Sequence, residues 1–210
     1  MPDRAILFID GNNWYHALRD IGLDDLGRLD YAAISTKLIG PRTWIGTRYY
    51  IGQVKQQQNT QLYADQRHFL SQLQKIDSRI TVHLGRLEPR QVVNSAAEEL
   101  AAYLANLEVR VDRRVYQDLV AMAKSHRLVE VFVEKAVDVM IAVDMVLMAA
   151  RNDYDAAYLL SADGDFTPAV EAVRGLGKKV YAVSPGYGAQ LAAAANSFLR
   201  LDREWFTDCF

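Results

Sequence analysis

Near its start the chain reads Ala5-Ile6-Leu7-Phe8-Ile9-Asp10-Gly11-Asn12-Asn13, and this stretch decides the fold. Residues 5–9 form a short, continuous apolar run, which is typical of a strand buried on both faces of a parallel sheet. The polar residues that follow at once indicate a turn into a helix that begins near Asn12 or Asn13. The chain therefore begins as the first half of a βαβ unit.

The same alternation of strands and helices continues along the chain. Apolar or alternating runs predict strands at about 47–54, 80–87, 129–134, 156–162 and 179–184. Helical periodicity is found at about 30–39, 60–77, 136–151, 165–176 and 188–197. Strands separated by helices predict right-handed crossovers and a three-layer α/β/α sandwich around a mostly parallel central sheet.

One segment interrupts this alternation. Two helical patterns, 96–107 and 112–126, follow each other with no apolar strand between them. We interpret them as a helical insertion at 95–127 within a single domain, 1–210, because neither a repeat nor a clean linker is visible. The insertion could serve as a substrate lid, an RNA grip or a surface for homo-oligomer formation, and helical spacing does not choose among these.

The composition is that of an ordinary globular protein. With 24 basic and 26 acidic residues in 210, the formal charge is −2, which excludes a bulk polycation but not a local basic groove. The single Cys209 has no second thiol for a disulfide or a thiolate metal site. We expect a cytoplasmic protein without a membrane partner, because no run reaches the roughly 18 to 20 apolar residues that cross a bilayer.

Carboxylates follow two of the predicted strands. Asp10 ends the first strand, and Asp163 and Asp165 follow the strand that ends at Ala162. The carboxyl ends of parallel strands lie at one edge of the sheet, where functional crevices form. The alternative is structural, because Asp10 could be a turn residue and either later acid could cap the helix that begins before Pro168.

Two further acids lie in a helix that is apolar on nearly every face. The segment 136–147 is expected to be buried on several sides, yet it contains Asp138 and Asp144. Six positions apart, these two acids lie on different faces and do not serve one ligand equally. Asp138 could instead gain from the helix dipole in the first turn, and Asp144 could be the partner of a buried donor.

Four segments together resemble a known family. They are Phe8-Ile9-Asp10-Gly11-Asn12-Asn13, Glu134-Lys135-Ala136-Val137-Asp138-Val139, Leu160-Ser161-Ala162-Asp163-Gly164-Asp165-Phe166 and Glu171-Ala172-Val173-Arg174-Gly175-Leu176-Gly177-Lys178-Lys179-Val180. In this order they resemble the NYN domains of the LabA-like group, within the PIN-like nuclease superfamily. One departure is Ala162, where the family has glycine, and alanine fits if its backbone dihedrals are those of a strand.

The resemblance implies a metal-dependent ribonuclease whose site is formed by four acids. These are Asp10, Asp138, Asp163 and Asp165, with Asn12 nearby. Carboxylate oxygens without histidine or cysteine suit Mg²⁺ or Mn²⁺. We therefore expect the four acids to hold such ions, directly or through water, and to be the catalytic groups.

Three other side chains are candidates for substrate binding. Asn12 lies beside Asp10, and Lys135 could neutralise the carboxylates or reach a phosphate, or could simply be solvated at the turn between strand and helix. Ser161 could donate a hydrogen bond inside the site or satisfy a backbone group at the strand end.

Contacts to RNA would have to come from local groups. Basic residues supply phosphate contacts and aromatic rings can stack on unpaired bases. The basic candidates are Arg42, Arg48, Lys55, Arg67, Arg110, Arg113, Arg114, Lys124 and Arg127, and the aromatic ones are Trp14, Trp44, Tyr49 and Tyr50. Most of these aromatic residues are expected to belong to the core.

The leading function is hydrolysis of phosphodiester bonds in single-stranded or structured RNA, by endonucleolytic cleavage. A haloacid-dehalogenase-like phosphohydrolase also begins with an apolar strand and an aspartate, but it needs a second acid two residues later, where this chain has Asn12. The third alternative is a non-catalytic RNA-binding or regulatory module of the same fold.

Overall fold

The computed structural model describes residues 2–56, 59–106 and 112–210. They form two compact units, of which the larger consists of Met1–Arg86 with Glu134–Phe210 and the smaller of Leu87–Val133. The described strands are β1 (Arg4–Asp10), β2 (Thr43–Gln53), β3 (Ile80–Val93), β4 (Leu128–Lys135), β5 (Ala156–Leu160), β6 (Lys179–Ser184) and β7 (Ser197–Arg200). The α-helices are α1 (Gly11–Asp20), α2 (Tyr31–Ile39), α3 (Thr60–Ile76), α4 (Ser95–Ala105), α5 (Arg113–Ser125), α6 (Val137–Ala150), α7 (Thr167–Gly175) and α8 (Ala189–Ala194).

The strands form one seven-stranded, mostly parallel sheet with the order β4-β3-β2-β1-β5-β6-β7. β1 lies in the middle and pairs in parallel with β2 and β5, so that Asp10 lies opposite Tyr50, and Ile9 opposite Leu160. The parallel pairs β2 with β3, β5 with β6, and β6 with β7 extend the sheet on either side. The predicted crossover topology is confirmed, and it brings the carboxyl ends of β1 and β5 side by side.

Helices cover both faces of the larger unit's sheet. Alternate residues of β1 point to opposite faces and so belong to different core clusters. Leu7 and Ile9 belong to one core cluster, which includes residues of α1, α2 and the C-terminal segment. Ile6 and Phe8 belong to a second cluster, which includes residues of α6, α7 and α8. This arrangement confirms the three-layer α/β/α sandwich and explains why residues 5–9 are continuously apolar.

The smaller unit contains the helical pair that the sequence predicts at 95–127. Asn94 caps α4 by accepting from the Ala97 amide at 3.4 Å, and Asp112 caps α5 by accepting from the Arg114 amide at 2.8 Å. The Asn94 amide also donates to the Arg127 carbonyl oxygen at 2.8 Å. The two helices are thus separate, capped elements of a compact unit that extends beyond the predicted bounds on both sides.

Three details differ from the predictions. β3 continues to Val93, six residues past its predicted end, and β7 lies in the segment after the last predicted helix. α6 is buried along one side only, since Val139, Val143 and Leu147 are 65, 47 and 46% exposed. Its apolar composition therefore does not reflect burial on several sides. Among the described residues, no helix is both long and apolar enough to span a membrane.

Candidate active site

Asp10 lies at the end of β1 and is also the N-cap of α1. Its Oδ1 accepts from the Asn13 amide at 3.2 Å, and its side chain is almost completely buried, at 4% exposure for the residue. Asp10 therefore has the structural role that the sequence offered as an alternative, because one oxygen caps the helix, while the other accepts from Ser161. The backbone at position 11 passes so close to β2 that only glycine fits, because a Cβ there would lie 2.6 Å from the Tyr50 carbonyl oxygen.

A small hydrogen-bond network joins Asp10 to the segment after β5. The buried Ser161 hydroxyl donates to Asp10 Oδ2 at 3.2 Å and accepts from the Asp163 amide at 3.1 Å. The Asn13 side chain accepts from the Ala162 amide at 3.2 Å, so it closes the same junction from the α1 side. Ser161 thus does what both predicted alternatives describe, because it donates to Asp10 and also satisfies a backbone amide after the strand. Asn13 is a link that the sequence did not predict.

Asp163 and Asp165 follow this junction. Asp163 caps the short 3-10 helix Gly164–Phe166 by accepting from the Asp165 amide at 2.9 Å. Asp165 is exposed and lines a shallow depression of about 750 Å³ together with Glu171 and Gln190. Ala162 does not have a positive φ, so the alanine in place of the family's glycine is accommodated without strain, as predicted.

Asp138 lies in the first turn of α6, two positions after a strained residue. Ala136 has φ 74°, in the left-handed region, which costs about 1–2 kcal/mol for a residue with a Cβ. Gly85 permits this tight entry, because a Cβ there would lie 2.5 Å from Val137 Cγ2 and 2.8 Å from the Lys135 carbonyl oxygen. The bend brings Asp138 into the electrostatic field of Asp10.

Glu134 is a fifth carboxylate of the same cluster. Its side chain accepts a short hydrogen bond from the Gly52 amide at the end of β2. The pKa of Glu134 is raised to about 7, chiefly by burial; the Gly52 hydrogen bond lowers it, and the charges of Asp10 and Asp138 contribute to the rise. The sequence places Glu134 at a strand end beside the Asp138 motif, and this position was the available signal for its role.

The electrostatics of the site are dominated by burial and by repulsion between acids. Burial raises the pKa of Asp10 to about 6, opposed by the Asn13 amide and reinforced by the charges of Asp138 and Asp163. Burial also raises the pKa of Asp138, as do the charges of Asp163 and Asp165. The charge of each of these carboxylates thus raises the pKa of at least one other. Within the described ranges, none of them has an ion pair with a basic side chain.

The remaining predicted substrate contacts lie at the surface of this cluster. Asn12 is exposed and lines a cavity of about 430 Å³ beside α1. Lys135 is exposed between Glu134 and Asp138 in the chain, and no described carboxylate forms an ion pair with it. Ser161, in contrast, is fully buried and forms hydrogen bonds with the Asp10 carboxylate and the Asp163 amide.

Asp144 does not belong to the cluster. It accepts from the Tyr50 hydroxyl at 2.6 Å and forms an ion pair with Arg48 at 2.8 Å, with both charged side chains about one quarter exposed. The predicted alternative of a partner for side-chain donors is therefore confirmed. The Arg48 guanidinium also donates to the Tyr50 hydroxyl through Nε at 2.8 Å, so this arginine is held against β2 and α6.

We expect the Asp144→Asn variant to lose stability but not site chemistry. The change removes the charge that faces Arg48 and leaves a partly buried guanidinium without its counterion, which costs about 1–2 kcal/mol. Denaturant unfolding of the variant and the wild type measures this loss. An equal stability of the two proteins would contradict the assignment of Asp144 to a structural ion pair.

The other candidate nucleic-acid contacts are distributed unevenly. Arg42 precedes β2 at the amino ends of the strands, where it donates to the hydroxyls of Tyr158 and Tyr181 at 2.8 and 2.7 Å. It therefore lies at the edge opposite Asp10. The four aromatic candidates, Trp14, Trp44, Tyr49 and Tyr50, are all buried, as expected of core residues. Arg110 lies outside the described residues.

The sequence model of the NYN domain matches residues 4–202, nearly the whole chain. The chain therefore belongs to the NYN domain family, which is part of the PIN-like superfamily. NYN domains are generally nucleases, and those that are nucleases generally act on RNA. The finer placement in the LabA-like group stays a prediction.

One solved structure similar to this one is a crystal structure of a protein of unknown function from Vibrio parahaemolyticus RIMD 2210633. The two chains are 17% identical, with a TM-score of 0.54, and the match covers 97% of this chain and 95% of the other. At this identity the likeness supports the fold alone. A search of curated proteins finds no significant match.

PIN-like nuclease domains usually use divalent metals, and the donors present here are compatible with one. The acids are carboxylates that form no ion pair with a basic side chain of the described residues, and such oxygen donors suit Mg²⁺ or Mn²⁺. In the described part of the chain, we find no group of three or more acidic, histidine or cysteine side chains that could hold a metal ion as they stand.

Proposed function

We propose that this protein is a ribonuclease that hydrolyses phosphodiester bonds in RNA, cutting within the chain, with Mg²⁺ or Mn²⁺ as cofactor. The observation that carries this proposal is the group formed by the buried Asp10, the half-buried Glu134 and the exposed Asp138, because all three carboxyl groups have raised pKa values and feel each other's charge. Burying acids together costs free energy unless a cation compensates their charge. The family membership supports RNA phosphate as the site of attack.

The residues have distinct roles in this proposal. Asp10 and Asp138 would hold the metal, and Asp163 and Asp165 would complete its shell through water or orient the attacking water. A bound divalent ion supplies Lewis-acid activation of water and stabilises charge on the phosphate and the leaving oxygen. Glu134 adds to the negative field from the β2 side through its contact with Gly52.

Substrate and positioning roles fall to the surrounding side chains. Lys135 is exposed next to the acids, where its ammonium group can contact a phosphate oxygen and offset the local negative charge. Asn12 is exposed on the other side of Asp10 and can donate to the sugar or the base. Ser161 and Asn13 hold Asp10 relative to the Asp163 segment by hydrogen bonds, so we assign them positioning roles.

The test is a cleavage assay with end-labelled single-stranded RNA, an RNA hairpin and DNA of the same sequence. We expect internal RNA products in Mg²⁺ or Mn²⁺ and none in EDTA. An Asp10→Asn, Asp163→Asn double variant, purified in parallel, controls for contaminating nucleases and should produce none of these products.

Other outcomes would contradict the proposal in different ways. RNA binding without cleavage in any divalent metal would identify a non-catalytic module. Release of phosphate from a small phosphate monoester, with RNA left intact, would identify a phosphohydrolase. Cleavage of RNA that persists in EDTA or in the double variant would show that the activity does not belong to this site.

A further inference from the structure

The cavity beside α1 is separate from the acid cluster but adjoins it. It has a volume of about 430 Å³, within the range of roughly 300–1,000 Å³ that is usual for small-molecule sites. Gly11 and Asn12, the two residues directly after Asp10, form one wall. Residues of α3 also line the cavity, and Gln66 fixes this helix to the end of β2, where it accepts from the Val54 amide at 3.0 Å and donates to the Gly52 carbonyl oxygen at 2.9 Å.

The floor of this cavity is aromatic. The rings of Tyr31, Tyr49 and Phe69 contact each other edge to face, with centroids 5.7 to 6.1 Å apart. The Tyr49 ring also packs directly under Gly11, since a Cβ at that position would lie 2.7 Å from Tyr49 Cε1. The aromatic group thus reaches Gly11, the residue next to Asp10, and two of its rings, Tyr31 and Tyr49, are buried.

The rim combines one exposed ring with carboxylates. Tyr15 is 41% exposed, and its hydroxyl accepts from Arg19 Nη1 at 3.2 Å, which holds the ring at the mouth. Asp24 and Asp25 have ion pairs at 3.8 and 3.7 Å with basic residues outside the lining. Asp65 accepts from Gln61 Nε2 through Oδ1 at 2.8 Å, and its Oδ2 has no hydrogen bond from any described residue.

The charge of the lining excludes phosphate. None of the described lining residues is lysine, arginine or histidine, whereas three are aspartates, of which Asp24 and Asp25 are paired with Arg19 and Arg28 just outside the lining. The Asp65 carboxylate would repel a phosphate, but a flat, neutral ring that carries N–H donors would find the exposed Tyr15 ring, the partly buried Phe69 ring and carboxylate acceptors. A base of single-stranded RNA has both properties, because its faces stack on aromatic rings and its Watson–Crick edge is free.

We propose that this cavity binds one nucleobase of the RNA next to the phosphate that is cut, and that it selects guanine. The proposal rests on the proposed ribonuclease function. Guanine offers two adjacent donors, N1–H and the N2 amino group, to the Asp65 carboxylate. Uracil offers one N–H between two carbonyl oxygens, which a carboxylate repels. The Tyr15 ring covers the exposed side of the base.

The test is a titration of ¹⁵N-labelled protein with free nucleosides in EDTA, followed by amide chemical shifts. Nucleosides carry no phosphate, and EDTA removes divalent metal, so this binding does not depend on cleavage. We expect shifts at the amides around the cavity, with guanosine binding about tenfold more tightly than uridine. Inosine, which lacks the N2 amino group, should fall between them.

Three variants sharpen the assignment. In the Asp65→Asn variant, the ratio of the affinities for guanosine and uridine should fall to near one. The Tyr15→Ala variant should bind every nucleoside about fivefold or more weakly, because a stacking contact is lost. Asp153→Asn, an equally exposed change in the loop before β5, is the matched control and should bind as the wild type does.

The outcomes separate this proposal from the proposed function. Equal affinity for guanosine and uridine, shifts at residues away from the cavity, or an Asp65→Asn variant that behaves like the control would overturn the base site. If guanosine binds as expected while no RNA is cleaved in Mg²⁺ or Mn²⁺, the ribonuclease fails and the base site stands. Cleavage without preference for guanine next to the cut leaves the ribonuclease and overturns the selectivity.

Discussion

An Asp10→Asn variant is expected to cleave RNA with a kcat/KM about 10²–10³-fold below that of the wild type, a loss typical of removing one group that stabilises the transition state. Asparagine has the same size and is an equally good N-cap, so α1 and its bond to the Asn13 amide are retained. The loss therefore reports on the charge of Asp10. Initial rates over a range of Mg²⁺ concentrations measure it.

Two further variants locate the effect. Ser161→Ala removes the hydroxyl that positions Asp10 and should lower kcat/KM by about 10- to 100-fold, less than the loss of the charge itself. Asp144→Asn changes an acid outside the cluster and should cleave at the wild-type rate. A wild-type rate for Asp10→Asn, or a loss in Asp144→Asn equal to that of Asp10→Asn, would contradict the assigned site.

The same Asp10→Asn variant is expected to be more stable than the wild type in EDTA at pH 8. Burial raises the pKa of Asp10 from 3.8 to about 6, so the folded state binds more protons than the unfolded state between these values. The stability of the wild type therefore falls as the pH rises from about 4 to 6, and the full cost, about 3 kcal/mol, is present above pH 6. Asparagine does not carry this cost.

Thermal unfolding tests this expectation. For a chain of this size, about 3 kcal/mol corresponds to a Tm higher by about 5–10 °C for Asp10→Asn in EDTA at pH 8. At pH 3, where Asp10 is neutral in both states, the two proteins should unfold at similar temperatures. Mg²⁺ or Mn²⁺ should raise the Tm of the wild type and narrow the gap, because binding to the folded state compensates the repulsion. A variant that is no more stable than the wild type at pH 8 would contradict the raised pKa.

The sequence predicts the fold and the centre of the site because both depend on local patterns. The run 5–9 and the acids that follow β1 and β5 are enough to place Asp10 and Asp163 at one edge of a parallel sheet. The position of Glu134 at a strand end is visible in the sequence, but its contact with the Gly52 amide, 82 positions away, is not. Contacts between distant segments leave no periodic signal.

The remaining differences have equally physical origins. β7 has four residues and directly follows the alanine-rich α8, so helical composition obscures its start. In α6, Val139, Val143 and Leu147 form an exposed stripe, although their residue types are those of a core. Composition reports what a helix could bury, whereas the fold decides which side is covered.

The position of β1 in the middle of the sheet also shapes how the chain folds as it is made. One neighbour, β2, follows within about 40 residues, but the other, β5, begins at Ala156. At a synthesis rate of roughly 5–20 residues per second, β5 is made about 7–30 s after β1, so the edge of β1 that pairs with β5 stays unpaired for that time. During this time an apolar strand edge lies open, so the nascent chain is vulnerable to wrong pairing, and Asp10 acquires its buried setting only when the last third of the chain emerges.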